Sequence, residues 1–166
     1  MNTGQTMLTV GAMVLLGYTV LMTNRSSLTH GVILQQTEIG VYMISLAISR
    51  IEEASGRAFD AASAGDIVTS TAALTAGGSF GPATGETYPD FNDFDDYDNF
   101  AKIDTIPGVD ILRVHSLVRY IEPANPDSVL NSSTKTFHKR MDVTVTGTST
   151  SDTLRMSYIF SYWAFR

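Results

Sequence analysis

The chain has 166 residues and a net charge of -6, from 11 Lys and Arg against 17 Asp and Glu. This length fits one compact domain with an appendage better than two independent domains, and the negative charge argues against a nucleic-acid-binding protein. The chain has no Cys, which excludes disulfides, thiolate metal sites and cysteine nucleophiles but leaves the cellular compartment open.

The first predicted element is an apolar helix close to the N-terminus. No charged side chain precedes Arg25, and residues 7–22 are almost continuously apolar. A helix over the charge-free stretch would rise about 36 Å, enough to cross a hydrocarbon core of roughly 30 Å. Nothing basic precedes the apolar run and no A-x-A site follows it, which disfavours a secretory signal peptide. A plain membrane anchor and a helix that is later buried among its own copies both stay open.

The second element continues the helix with an amphipathic pattern that ends near Gly56, a candidate C-cap. Its apolar residues recur at helical spacing, namely Ile33, Gly40, Ile44, Ala47, Ile48, Ile51 and Ala54, with Val32, Ile39, Met43 and Leu46 widening the stripe. An unbroken helix reaching to about residue 55 would be some 80 Å long, which is too long for a lone small domain to cover. Gly11, Gly17 and residues 24–31 are positions where it could bend.

The most distinctive stretch is the acidic loop at residues 88–100, YPDFNDFDDYDNF. Its aromatic residues could anchor the loop to a sheet while its carboxylates face water. Hard cations prefer several oxygen ligands, so these residues form a candidate calcium site: Asp90, Asn92, Asp93, Asp95, Asp96 and Asp98. The ligand order of an EF-hand is absent, and a solvated or hydrogen-bonded loop without metal is the favoured interpretation.

Three strands are predicted after the acidic loop, because residues 112–120, 141–145 and 154–162 alternate between apolar and polar side chains. Residues 123–135 are predicted as a loop and residues 147–152 as a hairpin turn. A sheet with one apolar face needs a cover, and the amphipathic half of the N-terminal helix is the obvious candidate.

The predicted fold is therefore α+β, with a long N-terminal helix, an apolar stem plus an amphipathic half, packed on a small antiparallel sheet. Residues 1–26 form the apolar helix, residues 27–56 its amphipathic continuation and residues 57–166 a β-rich head. Ile159 and Trp163 lie on the otherwise polar side of the last strand. They are candidates for contacts between heads, or for a local cover by the aromatic residues of the acidic loop.

The sequence shows no motif for catalysis. The histidines, His30, His115 and His138, do not have the spacing of metal ligands, and no nucleophile elbow, phosphate-binding loop or dinucleotide fingerprint occurs. We therefore expect a protein that is not an enzyme. Asn131 begins an Asn-Ser-Ser sequon and is a candidate glycosylation site.

An apolar N-terminal run, an amphipathic continuation and a following sheet together resemble the type IV pilin and type II secretion pseudopilin superfamily. Family members are cleaved by a prepilin peptidase after a Gly, which makes Gly4 the candidate leader cleavage site; alternatively Met1 is already the mature first residue. In the latter case Gln5 stands where the family typically has Glu, thought to pair with the N-terminal amine of a neighbouring subunit. Gln5 can accept a hydrogen bond but brings no compensating charge.

The resemblance implies a structural subunit of an extracellular type IV pilin-like filament at a bacterial cell surface, with an inner-membrane pool before assembly. Its partners would be copies of itself in a helical homopolymer, the pilus assembly machinery and a prepilin peptidase. The polymerisation helix would present Gln5, Met7, Leu8, Val10, Met13, Val14, Leu15, Leu16, Val20 and Leu21. The acidic loop is similar to that of minor pilins of the mannose-sensitive haemagglutinin type.

Two other functions stay open from the sequence. One is a minor pilin or pseudopilin of a secretion or pilus machine. The other, from a different class, is a monomeric membrane-anchored cation-binding module.

Overall fold

A computed structural model describes residues 2–162. Within them the chain forms helix α1 (Thr3–Ser55) and five strands: β1 (Phe100–Ile106), β2 (Asp110–Glu122), β3 (Asn125–Val129), β4 (His138–Gly147) and β5 (Thr153–Ser161). The predicted α+β class, with a long N-terminal helix and an antiparallel sheet, is confirmed. Met1 and Trp163, on which two of the predictions fall, lie outside the described residues.

Helix α1 runs without a break through the positions where the sequence suggested a bend. Gly11, Gly17 and residues 24–31 are all helical. Each Gly destabilises a helix interior by only about 1 kcal/mol relative to Ala. The neighbouring helix-forming residues offset this cost. The helix ends at Ser55, where the N–H of Gly56 donates to the carbonyl oxygen of Glu52 at 3.1 Å.

The chain separates into two compact units. Residues up to Ile39 form the first unit, a single helical segment that we call the stem. Residues from Gly40 onward form the second unit, the head, which contains the rest of α1 and the whole sheet.

The sheet is antiparallel with the strand order β1-β2-β4-β5, and β3 pairs with the far end of β2. The predicted strands correspond to β2, β4 and β5. Strand β3 falls in the stretch predicted as a loop, and β1 lies between the acidic loop and the first predicted strand, where no strand was predicted. Strand β1 is an edge strand whose side chains alternate between half-buried and exposed, so it shows no strong apolar face. Strand β3 has only five residues, including Pro126, and this composition disfavours a strand in sequence-based prediction.

Asp110 connects the turn between β1 and β2 with the turn between β4 and β5 through hydrogen bonds. The turn between β1 and β2 contains Pro107 and Gly108, and Gly108 has a φ of 76°, as the second central residue of a type II turn requires. Asp110 Oδ1 then accepts hydrogen bonds from Thr148 Oγ1 at 2.8 Å and from Ser149 N at 3.0 Å, in the turn between β4 and β5. Burial raises the pKa of Asp110, but these hydrogen bonds outweigh it and hold the pKa at about 2.

The core of the head lies between the apolar face of the sheet and the last turns of α1. The buried apolar residues of the sheet include Leu112, Val114, Val118, Met141, Val143 and Val145. On the helix the buried apolar residues of the head are Met43, Ala47, Ile51 and Ala54, which recur every three or four residues.

The predicted apolar stripe of the helix was too wide. Ile33, Ile44 and Ile48 were assigned to the covered face, but they are exposed. Successive helix positions are about 100° apart around the axis, so Ile44 and Ile48 lie beside the narrow line through Met43 and Ala47 rather than on it.

Candidate functional site

The stem exposes every large apolar side chain of the predicted polymerisation helix. Met7 is 79% exposed, Val14 66% and Leu21 70%. Gly4 and Gln5 lie in the first turns of α1 and are exposed as well. Water-exposed apolar surface of this extent indicates a missing partner, either lipid or protein.

A second apolar stripe lies on the part of α1 that belongs to the head. Val41, Ile44 and Ile48 are spaced by three and four residues, so they share one helix face. Val41 is 61% exposed and the other two are more than one third exposed. The helix therefore covers the sheet with one face and leaves another apolar face open.

The aromatic residues of the acidic loop anchor it to the head, as expected. Phe91, Phe94 and Tyr97 are buried, and the Phe91 ring lies 5.0 Å from that of Tyr97 and 5.2 Å from that of Phe100, both edge to face. Such pairs add about 0.5–1.5 kcal/mol beyond the apolar area that they bury. The loop is thus a packed part of the core.

Arg50 of α1 reaches into this aromatic cluster. Its guanidinium carbon lies 4.8 Å from the ring centroid of Phe100 and 5.1 Å from that of Tyr88. Its Nη1 pairs with Glu53 Oε2 at 2.9 Å. A guanidinium is weakly hydrated and stacks on aromatic faces, which is why an arginine is tolerated here.

The expectation that the loop carboxylates face water is wrong for Asp93, Asp95 and Asp96, which are buried. Asp93 Oδ1 accepts from the backbone N–H groups of Asp95, at 2.9 Å, and Asp96, at 3.2 Å. Asp96 Oδ2 accepts from Asn92 N at 3.0 Å and Asp93 N at 3.1 Å. These carboxylates shape the loop by binding its own backbone.

The remaining members of the candidate calcium set point elsewhere. Asp98 Oδ1 accepts from Val118 N at 2.8 Å, just past the point where β1 stops pairing with β2, and Asp90 is exposed. Among residues 2–162, no group of three or more His, Asp or Glu side chains is placed to hold a metal ion. Calcium binding by the loop stays a prediction, and it would require these carboxylates to leave their present partners.

Lys139 occupies a core position of β4 that was not predicted from the sequence. Positions 139, 141, 143 and 145 share the buried face of the strand. The alternation of β4 therefore indicated that position 139 is buried, but a lysine at the end of the strand was not assigned to the core. Its side chain is 0% exposed. Lys139 Nζ donates to Phe59 O at 2.7 Å, Asp60 Oδ2 at 2.9 Å and Asp95 Oδ1 at 2.5 Å.

Aromatic rings surround the buried amine. Lys139 Nζ lies 4.5 Å from the ring centroid of Phe59, 5.0 Å from Phe80 and 5.5 Å from Tyr120. Both carboxylate partners have buried side chains. One cation and two carboxylates are therefore held together in an apolar, aromatic environment, where electrostatic interactions are stronger than in water.

The two carboxylates that contact Lys139 differ in their surroundings. Asp60 also accepts from Ala62 N and from the N–H and hydroxyl of Thr75. Burial raises the pKa of Asp60, but Lys139 and these hydrogen bonds outweigh that effect and leave the pKa lowered. Burial raises the pKa of Asp95 despite Lys139, and burial together with the Asp95 charge raises the pKa of Asp93 to about 8.

The other predicted residues are not brought into one site. His115 contacts Asn99 and His138 contacts Ser161, while Asn131 and Ile159 are exposed. Head contacts through Ile159 and glycosylation of Asn131 stay predictions.

No family model, no curated protein and no solved structure matches the chain. The structure shows an architecture that is compatible with a pilin-like fold, namely a long N-terminal helix packed on an antiparallel sheet. Helix α1 is long and apolar enough to cross a membrane, a property that signal sequences and anchors share.

Proposed function

We propose that the chain is the structural subunit of an extracellular type IV pilin-like filament and polymerises through its N-terminal helix. The observation that carries this proposal is an apolar stem, exposed along residues 7–22, that is continuous with an amphipathic helix on an α+β head. The stem resides in the inner membrane before assembly and is buried among copies of itself afterwards.

The open stripe on the head part of α1 supports protein partners over lipid alone. A bilayer can cover the charge-free residues that precede Arg25. Val41, Ile44 and Ile48 follow two charged residues, Arg25 and Glu38, so a membrane that holds the stem does not account for them. A neighbouring helix covers both stretches with one kind of contact.

Helix packing takes the place of charge pairing in setting the register between stems. Gln5 cannot supply the negative charge that the family typically uses. Gly11 and Gly17 have open space where a side chain would lie, and small residues on an apolar helix allow another helix to approach closely. Uncharged surfaces of this kind are also free of the desolvation cost of a half-made ion pair.

Electron microscopy of sheared surface filaments, with mass spectrometry of their subunits, tests the proposal. Recovery of this chain as the bulk filament protein supports it. Recovery at trace level would assign the chain as a minor pilin or pseudopilin instead. Recovery only as a membrane-bound monomer would overturn filament formation and favour the membrane-anchored module.

Site-specific cross-linking tests the contact between stems directly. The chain has no Cys, so Leu16→Cys introduces a unique thiol in the stem. We expect a flexible bis-maleimide, which can span the axial offset between neighbouring copies of a helical filament, to give cross-linked dimers of Leu16→Cys in intact filaments. Ile103→Cys, which places a thiol at another exposed apolar position on the edge strand of the head, is the matched control and should stay largely monomeric. Equal yields from both variants would contradict assembly through the stem.

A further inference from the structure

The cluster around Lys139 brings an amine and two carboxyl groups into reacting distance inside the head. Nζ contacts Asp60 and Asp95 with fully buried side chains on all three residues and aromatic rings around them. Exclusion of water and fixed proximity are two conditions that favour condensation of an amine with a carboxyl group.

We propose that Lys139 and Asp95 become joined by an intramolecular amide bond between Nζ and Cγ, formed within the folded head and assisted by Asp60. The proposal is independent of filament assembly, because every group involved lies within the head.

The hydrogen bonds assign different roles to the two carboxyl groups. Asp60 is held by three further donor groups, from Ala62 and Thr75, which stabilise its charged form and make it a proton acceptor. Asp95 receives no backbone N–H on its carboxylate among the hydrogen bonds of residues 2–162, and its neighbour Asp93 instead binds the Asp95 N–H. Asp95 is therefore the carboxyl group that is more easily neutral and open to attack at Cγ.

The reaction balances without an oxidant or an added cofactor. Lys139 Nζ passes one proton to Asp95, which becomes neutral, and then attacks Cγ of Asp95, forming the C–N bond. Asp60 accepts a second proton from Nζ and transfers it to the hydroxyl of the tetrahedral carbon, which departs as water carrying both protons that Nζ has given up. One hydrogen stays on the amide nitrogen, and Asp60 ends as a carboxylate.

The bond would connect two segments that are distant in sequence. Asp95 belongs to the acidic loop, and Lys139 lies in β4 at the middle of the sheet, paired with Phe160 and Tyr120. A covalent link closes the chain between these positions and restricts the unfolded state, as a disulfide does. Unlike a disulfide it resists reduction, in a chain that has no Cys.

The test is the intact mass of the full chain, purified in detergent and measured after denaturation. We expect a mass lower than that of the sequence by one water molecule. Trypsin should then leave residues 136–140 joined to residues 58–102, because an acylated Lys139 is not cleaved. The full sequence mass, with separate peptides, would overturn the proposal; loss of water without joined peptides would indicate a cyclised aspartate and would overturn it too.

Fragmentation of the joined peptide identifies the carboxyl group, since Asp60 and Asp95 lie near opposite ends of residues 58–102. Attachment at Asp60 would overturn the assignment to Asp95. The variant Asp95→Asn gives a second readout, because its condensation releases ammonia in place of water. Lys139→Arg should show no mass loss, whereas the control Lys135→Arg should lose water as the wild type does.

Discussion

The stem and the centre of the head both reverse the usual distribution of side chains. The stem leaves residues 7–22 exposed, although burying one Leu or Met side chain is worth about 1.5–3 kcal/mol. The head buries Lys139, Asp60 and Asp95, although an unpaired buried charge is strongly unfavourable. The head supplies the compensation itself, through hydrogen bonds and opposite charges. The apolar side chains of the stem stay exposed, which favours the lipid or protein partner proposed for them.

This contrast predicts that folding of the head and association through the stem depend on different residues. Changes in the head should alter the free energy of unfolding, and changes on the stem should alter association while the head stays folded.

Lys139→Ala should destabilise the head most, by about 3–5 kcal/mol, because it removes the group that both buried carboxyl groups contact, as an ion pair with Asp60 and, for Asp95, as an ion pair or the proposed amide bond. Chemical denaturation in detergent, followed by tryptophan or tyrosine fluorescence, measures the change. The adjacent Arg140→Ala is the matched control. Arg140 pairs with Asp142 at 3.0 Å at a partly exposed position, so its loss should cost no more than about 1 kcal/mol. Similar costs for both variants would contradict the role assigned to the buried cluster.

Val14→Asp should abolish filaments and leave the melting temperature of the head unchanged. A charged Asp at the centre of an apolar helix costs roughly 2.5–3.5 kcal/mol on insertion into a membrane, and a bundle of stems presents a similar environment in every subunit. Negative-stain electron microscopy and thermal melts in detergent measure the two effects. Val14→Leu, which keeps the apolar surface, should still assemble. Filaments of normal yield from Val14→Asp would remove the stem from the interface.

Val41→Glu should weaken filaments without preventing them, because it places one charge on the rim of the open stripe of α1. The head should unfold as the wild type does, within about 0.5 kcal/mol, as is usual for an exposed position. Resistance of the filaments to heat or shear is the measurement. Gln36→Glu adds the same charge at an exposed polar position of α1 and should have the smaller effect. If the two variants behave alike, net charge rather than the stripe is responsible.

Asp110→Asn should change how the head responds to acid. The pKa of Asp110 lies at about 2 in the folded chain, below its ordinary value near 3.8, so its ionised form stabilises the fold. That contribution is fully present above pH about 4 and is lost as the pH falls through the folded pKa near 2. The wild type should therefore lose stability more steeply than Asp110→Asn between these pH values. Parallel acid denaturation curves would refute this assignment.

Calcium should have the smallest effect, because Asp93, Asp95, Asp96 and Asp98 already accept hydrogen bonds within the head. We expect melting temperatures in calcium and in chelator to agree closely. A clear rise with calcium would show that the loop rearranges to form the metal site that the sequence suggests.

The elements with strong periodicity were predictable, and the weakly patterned ones were not. Strands β2, β4 and β5 alternate cleanly because one face packs against α1. Strand β1 pairs over its whole length with β2, from Phe100 to Ile106, yet its edge position leaves its side chains half-buried. Strand β1 is held in place by its hydrogen bonds to β2. These backbone hydrogen bonds leave no apolar pattern in the sequence.

The acidic loop shows the same limit at the level of single residues. Its aromatic side chains indicated anchoring, because rings of this size are rarely left in water. Its carboxylates looked solvated, because an isolated Asp is costly to bury. Their partners, the backbone of the loop itself and a lysine that follows Asp95 by 44 residues, become neighbours only once the head has folded.

The long N-terminal helix, its apolar character and the α+β class can be predicted from the order of residues, because helical and strand periodicities are local. The folded structure is needed to know which face of α1 covers the sheet, leaving Val41 and Ile48 open, and which charges are buried with Lys139. Both depend on contacts between distant segments, whose free energy is set by burial and pairing in three dimensions.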